Sequence, residues 1–197
     1  MNLTADPEFK MQIGKLAQQA NVCGLSLRDT LPIEARTLIA RADEEKRPLS
    51  TDELKHVCDC CGSSEYAIKL LVHHSPILIN KARANLLKKQ PQLVNPGGEL
   101  YPEHRAQACW RDCEHFMRVI TYGVGCNCAE ITDKTGMIAL VELYQLLHVP
   151  VHALLYVLSE LKTLTIKKLK KSGHDQEISC LDRAFNDLIT ALQPTQA

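Results

Sequence analysis

Apolar residues recur along this chain at intervals of three and four. Strict alternation is almost nowhere found, which predicts helices and argues against a sheet. Residues 1–38 form a loosely patterned leader with a weak helical stretch over 7–20. The first clear start signal follows at Ser50, an N-cap residue with Glu53 three positions on, the arrangement of a capping box. A helical pattern then runs from about Thr51 to Gln90, with Gly62-Ser63-Ser64 as a break and Pro76 as a start or kink. Pro96-Gly97-Gly98 must be a turn. Pro102 and Glu103 suit the first turn of the next helix, Glu103 at its positive end. That helix should end near Gly123 or Gly125. Thr132 or Asp133 caps another over about 133–147, Pro150 begins one reaching about Lys171, and the chain closes on an amphipathic helix. In the last, Ile178, Leu181, Ala184, Phe185, Leu188, Ile189 and Leu192 share one face. Many helices with short connections predict an all-α, globin-like domain over 39–197, with 1–38 as an N-terminal helical extension.

Composition narrows the partners. The 23 basic and 23 acidic residues cancel, so bulk charge does not point to nucleic acid. No apolar run approaches the roughly 20 residues a bilayer span needs. The opening "MNLTADPEFKMQIG" lacks the form of a signal peptide, so a cytoplasmic protein is expected. Nine cysteines in that setting are expected mostly as free thiols packed like small hydrophobes. A structural zinc site is the competing use of "CDCC" at 58–61 and "CNC" at 126–128, beside His56. The one-residue spacing of Cys126 and Cys128 departs from the usual ligand pairs. His73-His74 and His148/His152 invite a heme reading, but Pro150 interrupts the second pair. The lysines of "TIKKLKK" at 165–171 complement a helix C-terminus.

The chemistry concentrates in the helix that follows the Pro-Gly-Gly turn. Cys109, Asp112, Cys113 and Phe116 are spaced i, i+3, i+4 and i+7 and share a face, with Arg105 one turn earlier and Arg111 at the flank. Cysteine and phenylalanine are ordinary core residues. Asp112 could pair with Arg105 or Arg111. A carboxylate in an apolar stripe is nonetheless costly unless something donates to it. A ligand with two N–H groups would answer that need. Spacing alone leaves both explanations standing.

"ACWRD" followed by "ITYG" resembles the chromophore-attachment helix of the phycobiliproteins. Further landmarks fall in order: "ADEEKRPLSTDEL" resembles that family's N-terminal helix start, and "LLKKQPQLVNPGGELY" its Pro-Gly-Gly loop. "TGMIALVELYQLLHVPVHAL" resembles the following segment, and "CLDRAFNDLITAL" the closing helix. The likeness covers about 39–197 and is nearest to α-type, allophycocyanin-like chains. It implies a pigment carrier rather than an enzyme, with phycocyanobilin or a related linear tetrapyrrole bound through a thioether to Cys109. Asp112 would then accept hydrogen bonds from the two central ring nitrogens, and Arg111 would pair with a propionate, Arg105 assisting. Phe116, Tyr122 and Tyr144 match positions near the pigment or its supports. The implied role is light harvesting and excitation energy transfer in or near the phycobilisome. The alternative is a divergent bilin-binding photosensory or regulatory protein outside the standard antenna. Implied partners are a β-type subunit or further copies of this chain as dimer or trimer, linker proteins and a bilin lyase. The implied location is cytoplasmic or peripheral on the cytoplasmic face of the thylakoid membrane.

The sequence departs from the family pattern in four places. "CNC" at 126–128 replaces the usual Ala-Gly-Asp, His115-Phe116 replaces two tyrosines, Trp110 follows the attachment cysteine, and the leader has no counterpart.

Overall fold

A computed structural model describes residues 7–171 and 173–193. Among them are eight α-helices: α1 Pro7–Gln19, α2 Ile33–Glu44, α3 Thr51–Cys61, α4 Glu65–Lys89, α5 Glu103–Gly125, α6 Lys134–Leu146, α7 Val151–Lys170 and α8 Asp175–Leu192. Short 3-10 turns occupy Leu25–Leu27 and Pro91–Val94. The only strand-like pairing among the described residues is an isolated antiparallel bridge between Cys23 and Thr132. The all-α expectation holds, and the packing is globin-like.

Local chemistry sets the boundaries. The capping box at Ser50 forms: its hydroxyl accepts from the Glu53 N–H, and the Glu53 carboxylate accepts from the Ser50 N–H at 2.8 Å. The same carboxylate takes Arg47 and Arg41, an anchor at the head of α3. The helical pattern over Thr51–Gln90 is two helices, divided at the expected Gly62-Ser63-Ser64 break. Gly62, in the left-handed conformation at φ 71°, closes α3 without the steric cost a Cβ would bring, and Ser64 caps α4. Pro76 lies inside α4 and does not begin a new segment. Asp133 accepts from the N–H groups of Thr135 and Gly136 and starts α6. The leader is more ordered than its pattern suggested. It holds α1 and a 3-10 turn, and α2 runs unbroken across residues 38 and 39.

Helix α5 is the axis of the core. It packs on α4 and α8, while α7 closes the far side against α4 and α8. Its C-terminal half is buried all round, from Phe116 through Gly125 with Arg118 half-buried, whereas its N-terminal half buries only one stripe. The expected face of α8 is the buried one: Leu181, Ala184, Phe185, Leu188 and Leu192 are fully enclosed, with Ile178 and Ile189 packed at the edge.

Candidate functional site

The exposed half of α5 faces a cavity of about 250 Å³, bounded by the loop before α5 (Glu99, Leu100) and by the α6–α7 connection (Leu147, Val149, Pro150). From α5 itself come His104, Arg105, Ala108, Cys109 and Asp112. Cys109 is only 4 % exposed, at the base of this cavity. Cys113 is more deeply buried and does not line it. Its thiol is raised well above the ordinary range, first by its contact with Cys109 and then by burial. A thiolate is the nucleophilic form of cysteine, so Cys113 is a core residue behind the cavity wall.

Asp112 lines this cavity and also a neighbouring cleft of about 150 Å³ formed with His115, Phe116, Arg118 and Tyr144. Tyr144 donates its hydroxyl to Asp112 Oδ2 at 2.8 Å. Burial raises the Asp112 carboxyl above the ordinary value, and the Tyr144 hydroxyl and the Arg111 and His115 charges only partly offset it. This half-buried carboxylate has one protein donor on one oxygen, so it retains acceptor capacity toward both cavities. Burial and the Arg118 charge together hold His115 below its ordinary value.

Two of the arginines have different occupations. Arg105 donates to the carbonyls of Glu99, Leu147 and His148, the last at 2.7 Å. It therefore fastens the two segments that frame the cavity mouth and does not pair with Asp112. Arg111 is exposed beside Asp112 and acts on it through its charge. Trp110 turns to the α4 side, where the Arg83 guanidinium lies 5.0 Å from its ring centre.

Of the residues expected at the site, the fold brings Cys109 and Arg105 to one cavity and Phe116 and Tyr144 to the other, with Asp112 in both; Arg111 is exposed beside Asp112 and lines neither. The fold does not bring Tyr122 to either. That hydroxyl donates to the Arg47 carbonyl and accepts from Arg118 at 3.0 Å, while Arg118 pairs with Asp43 at 2.7 Å. The periodicity of α5 contains the reason. At about 100° per residue, Phe116 lies about 20° from Cys109 and Tyr122 about 140° from it. The same periodicity would have found Ala108, one turn before Asp112. Nothing local marks Glu99, Leu147 or Val149 as cavity residues, because they arrive from other parts of the chain.

The second group of candidate residues, the cysteines at 58–61 and 126–128, also converges. Cys60 and Cys61 sulfurs lie 3.9 Å apart. The Cys61 thiol is drawn down to about 7, first by its hydrogen bond with Cys126. Among the described residues no three histidine, cysteine, aspartate or glutamate side chains are grouped so as to hold a metal ion. His73 and His74 stack edge to face, and exposed His152 lies 3.5 Å from Glu99.

Comparison with known proteins agrees with the fold. Residues 37–192 match the family model described as phycobilisome protein. The allophycocyanin alpha chain of Cyanophora paradoxa is 30 % identical over 158 residues, covering 79 % of this chain and 96 % of that one. The allophycocyanin alpha subunit of a Picosynechococcus species is 32 % identical over 140 residues, 70 % of this chain and 86 % of its own. The allophycocyanin subunit alpha-B of a Nostoc species is 31 % identical over 135 residues, 67 % and 84 % respectively. The chain belongs to the phycobilisome protein family. Within it, this is a divergent, allophycocyanin-like phycobiliprotein. None of the described helices is long and apolar enough to cross a membrane.

Proposed function

We propose that this chain carries one linear tetrapyrrole, covalently held on Cys109, and serves in light harvesting or excitation transfer. The observation that supports this best is the meeting of Cys109 and a half-buried, incompletely satisfied Asp112 on one cavity wall. A half-buried carboxylate whose protein donor is the Tyr144 hydroxyl alone has spare acceptor capacity, and the inner N–H groups of a tetrapyrrole are donors of the right kind. The two cavities that share Asp112 extend along α5 in both directions, which suits an elongated ligand better than a compact one.

The residues divide the work. The Cys109 thiol would add across the exocyclic C=C of the pigment's first ring: a C–S bond forms, the S–H bond breaks, and the proton goes to the neighbouring carbon. Asp112 would accept from the central ring nitrogens and favour their protonated, cationic state. Tyr144 fixes the carboxylate, Arg105 holds together the two segments that frame the mouth, Phe116 lines the neighbouring cleft, and exposed Arg111 is placed to meet a propionate. When bound, the pigment supplies a conjugated system that absorbs visible light. Holding it stretched and dry suppresses the torsions that dissipate excitation as heat.

Phycocyanobilin or a close relative is the proposed pigment. A β-type subunit, further copies of the chain, linker proteins and a lyase are the proposed partners. The proposed setting is cytoplasmic or peripheral on the thylakoid surface. A second reading, a bilin-binding sensor or regulator outside the antenna, is favoured by one feature: the leader lies outside the family match.

The test is co-production with phycocyanobilin, followed by denaturing electrophoresis and zinc-enhanced fluorescence. A fluorescent band in the wild-type chain, absent from Cys109→Ala, is expected. A band that survives the substitution overturns the assignment of Cys109.

A further inference from the structure

The family match begins at residue 37. The described residues before it, 7–36, are fastened to the rest of the chain. Leu16 of α1 is buried, and α1 packs along α6. Beyond α1 the chain is sewn to the segment that leads into α6. The Gly24 N–H donates to the Ile131 carbonyl at 2.8 Å, the Asp133 N–H to the Val22 carbonyl at 2.9 Å, and the Asn21 N–H to the Gly136 carbonyl at 3.3 Å. Side chains reinforce the seam. The Asn21 amide donates to the Cys23 carbonyl and to Asp133 Oδ2, and Arg28 donates to the carbonyls of Glu130 and Thr132, both at 3.0 Å. The approach is so close that a Cβ built on Gly136 would lie 2.3 Å from the Asn21 carbonyl oxygen. All three of its nearest atoms would belong to Asn21.

This seam has a consequence for the pocket. Ala20, Asn21 and Val22 line the cleft whose other walls include Asp112, His115, Phe116, Arg118 and Tyr144. We propose that the leader is a built-in wall of the pigment pocket, with residues 20–22 closing its Asp112–Tyr144 side and residues 21–28 pinning that wall to the 130–136 segment. The inference rests on the pigment-carrying reading. It assigns to one chain a part of the pocket that lies outside the family match, and it gives Asn21 and Arg28 positioning roles. The seam combines backbone pairing, an Asn–Asp contact and an arginine clamp, none of which needs a second subunit. The pigment's environment on this side is therefore set within the chain.

Gly136→Ala and Arg28→Ala in the full-length chain test it. Alanine is a better helix former than glycine, so the first substitution favours α6 itself and strikes only the leader. Both variants are co-produced with phycocyanobilin beside the wild type. Covalent loading is read by zinc-enhanced fluorescence after denaturation, native absorption and fluorescence are read per bound pigment, and hydrogen exchange is followed at Gly24 and Asp133. The expected result is unchanged loading, faster exchange at Gly24 and Asp133, a broader native absorption band and a loss of native fluorescence per pigment. If Gly136→Ala fails to fold, the same readings on Arg28→Ala decide. Full protection at Gly24 in the variants, or released protection with an unaltered native spectrum, overturns the wall. A wild-type chain that takes up no pigment overturns the reading of the site, and the wall with it.

Discussion

Tyr122 and Tyr144 are both expected near a pigment or its supports, and the fold gives them unlike surroundings. Tyr144, on α6, points across to α5 and donates to Asp112 at the meeting of two cavities. Tyr122, on the enclosed half of α5, is fully buried and joins Arg118, Asp43 and the Arg47 carbonyl, which secures the α2–α3 junction to the core. One hydroxyl tunes a carboxylate that faces open space. The other satisfies a backbone carbonyl in a packed interior. A hydroxyl's role thus follows from which half of α5 it serves, and that contrast can be broken by substitution.

The largest effect belongs to the packed partner. Tyr122→Ala removes a buried aromatic ring and leaves Arg118 and the Arg47 carbonyl short of a partner. Loss of a buried aromatic costs about 3–5 kcal/mol, so urea unfolding should show a destabilisation of that order. Any pigment loaded on Cys109 should be lost only in proportion to unfolding. A stable Tyr122→Ala chain with an altered pigment spectrum would move Tyr122 into the site and erase the contrast.

Tyr144→Phe should do the reverse. The ring remains, but the Asp112 carboxylate loses its donor. Hydrogen bonds to charged groups are worth about 1.5–3 kcal/mol, and water entering from the cavities will return part of that. The destabilisation should therefore fall below that of Tyr122→Ala. Because the Tyr144 hydroxyl is what most lowers the burial-raised Asp112 carboxyl, its removal should move that titration further upward, which a carboxyl-resolved NMR titration would follow. An unshifted titration would detach Tyr144 from Asp112.

These contrasts also mark what could be seen in the chain before its fold. Caps and punctuation are local chemistry, so Ser50 with Glu53, Asp133, and the Gly62 break all appear as residue patterns and take their places in the structure. Helical spacing put Cys109, Asp112 and Phe116 on one face of α5 for the same reason, with Asp112 joining the cavity of Cys109 to the cleft of Phe116. For Tyr122, resemblance gives a position along the helix, and the angle around it makes that residue a partner of Arg118, which lines the cleft, rather than a lining residue itself. The Arg105 clamp and the leader's seam were invisible for another reason. Arg105 reaches residues 147 and 148, and Asn21 reaches 133, through contacts more than forty and more than a hundred positions apart. No short-range pattern encodes such pairs. Asp112 was the exception: a carboxylate in an apolar stripe announces an unmet need whatever surrounds it.

That need yields the smallest effect and the one of opposite sign. Asp112 titrates above its ordinary value in the folded chain, chiefly because burial disfavours its charge. Folding therefore binds this proton more tightly than the unfolded chain does. The linked stability is fully present below the unfolded value and is lost as pH rises through the folded one. Glu53 runs the other way: its arginine partners, Arg47 first, hold it far below the carboxylate range, so its contribution is present at neutral pH and lost on acidification. Asp112→Asn keeps an acceptor for Tyr144 and removes the charge. Relief of a cost retained for function commonly gains about 0.5–2 kcal/mol, and the half-buried position puts this case near the lower end. Pigment-free Asp112→Asn should match the wild type in acid, where both side chains are neutral, and exceed it increasingly as pH rises through the Asp112 titration. With pigment loaded, the order reverses in the spectrum: the covalent bond to Cys109 survives while absorption weakens and shifts to the blue, because the ring nitrogens have lost their anion. A substitution that stabilises the empty chain and degrades the loaded one would identify Asp112 as placed for the ligand. One that destabilises the empty chain at every pH would return Asp112 to the structural role that Tyr122 plays.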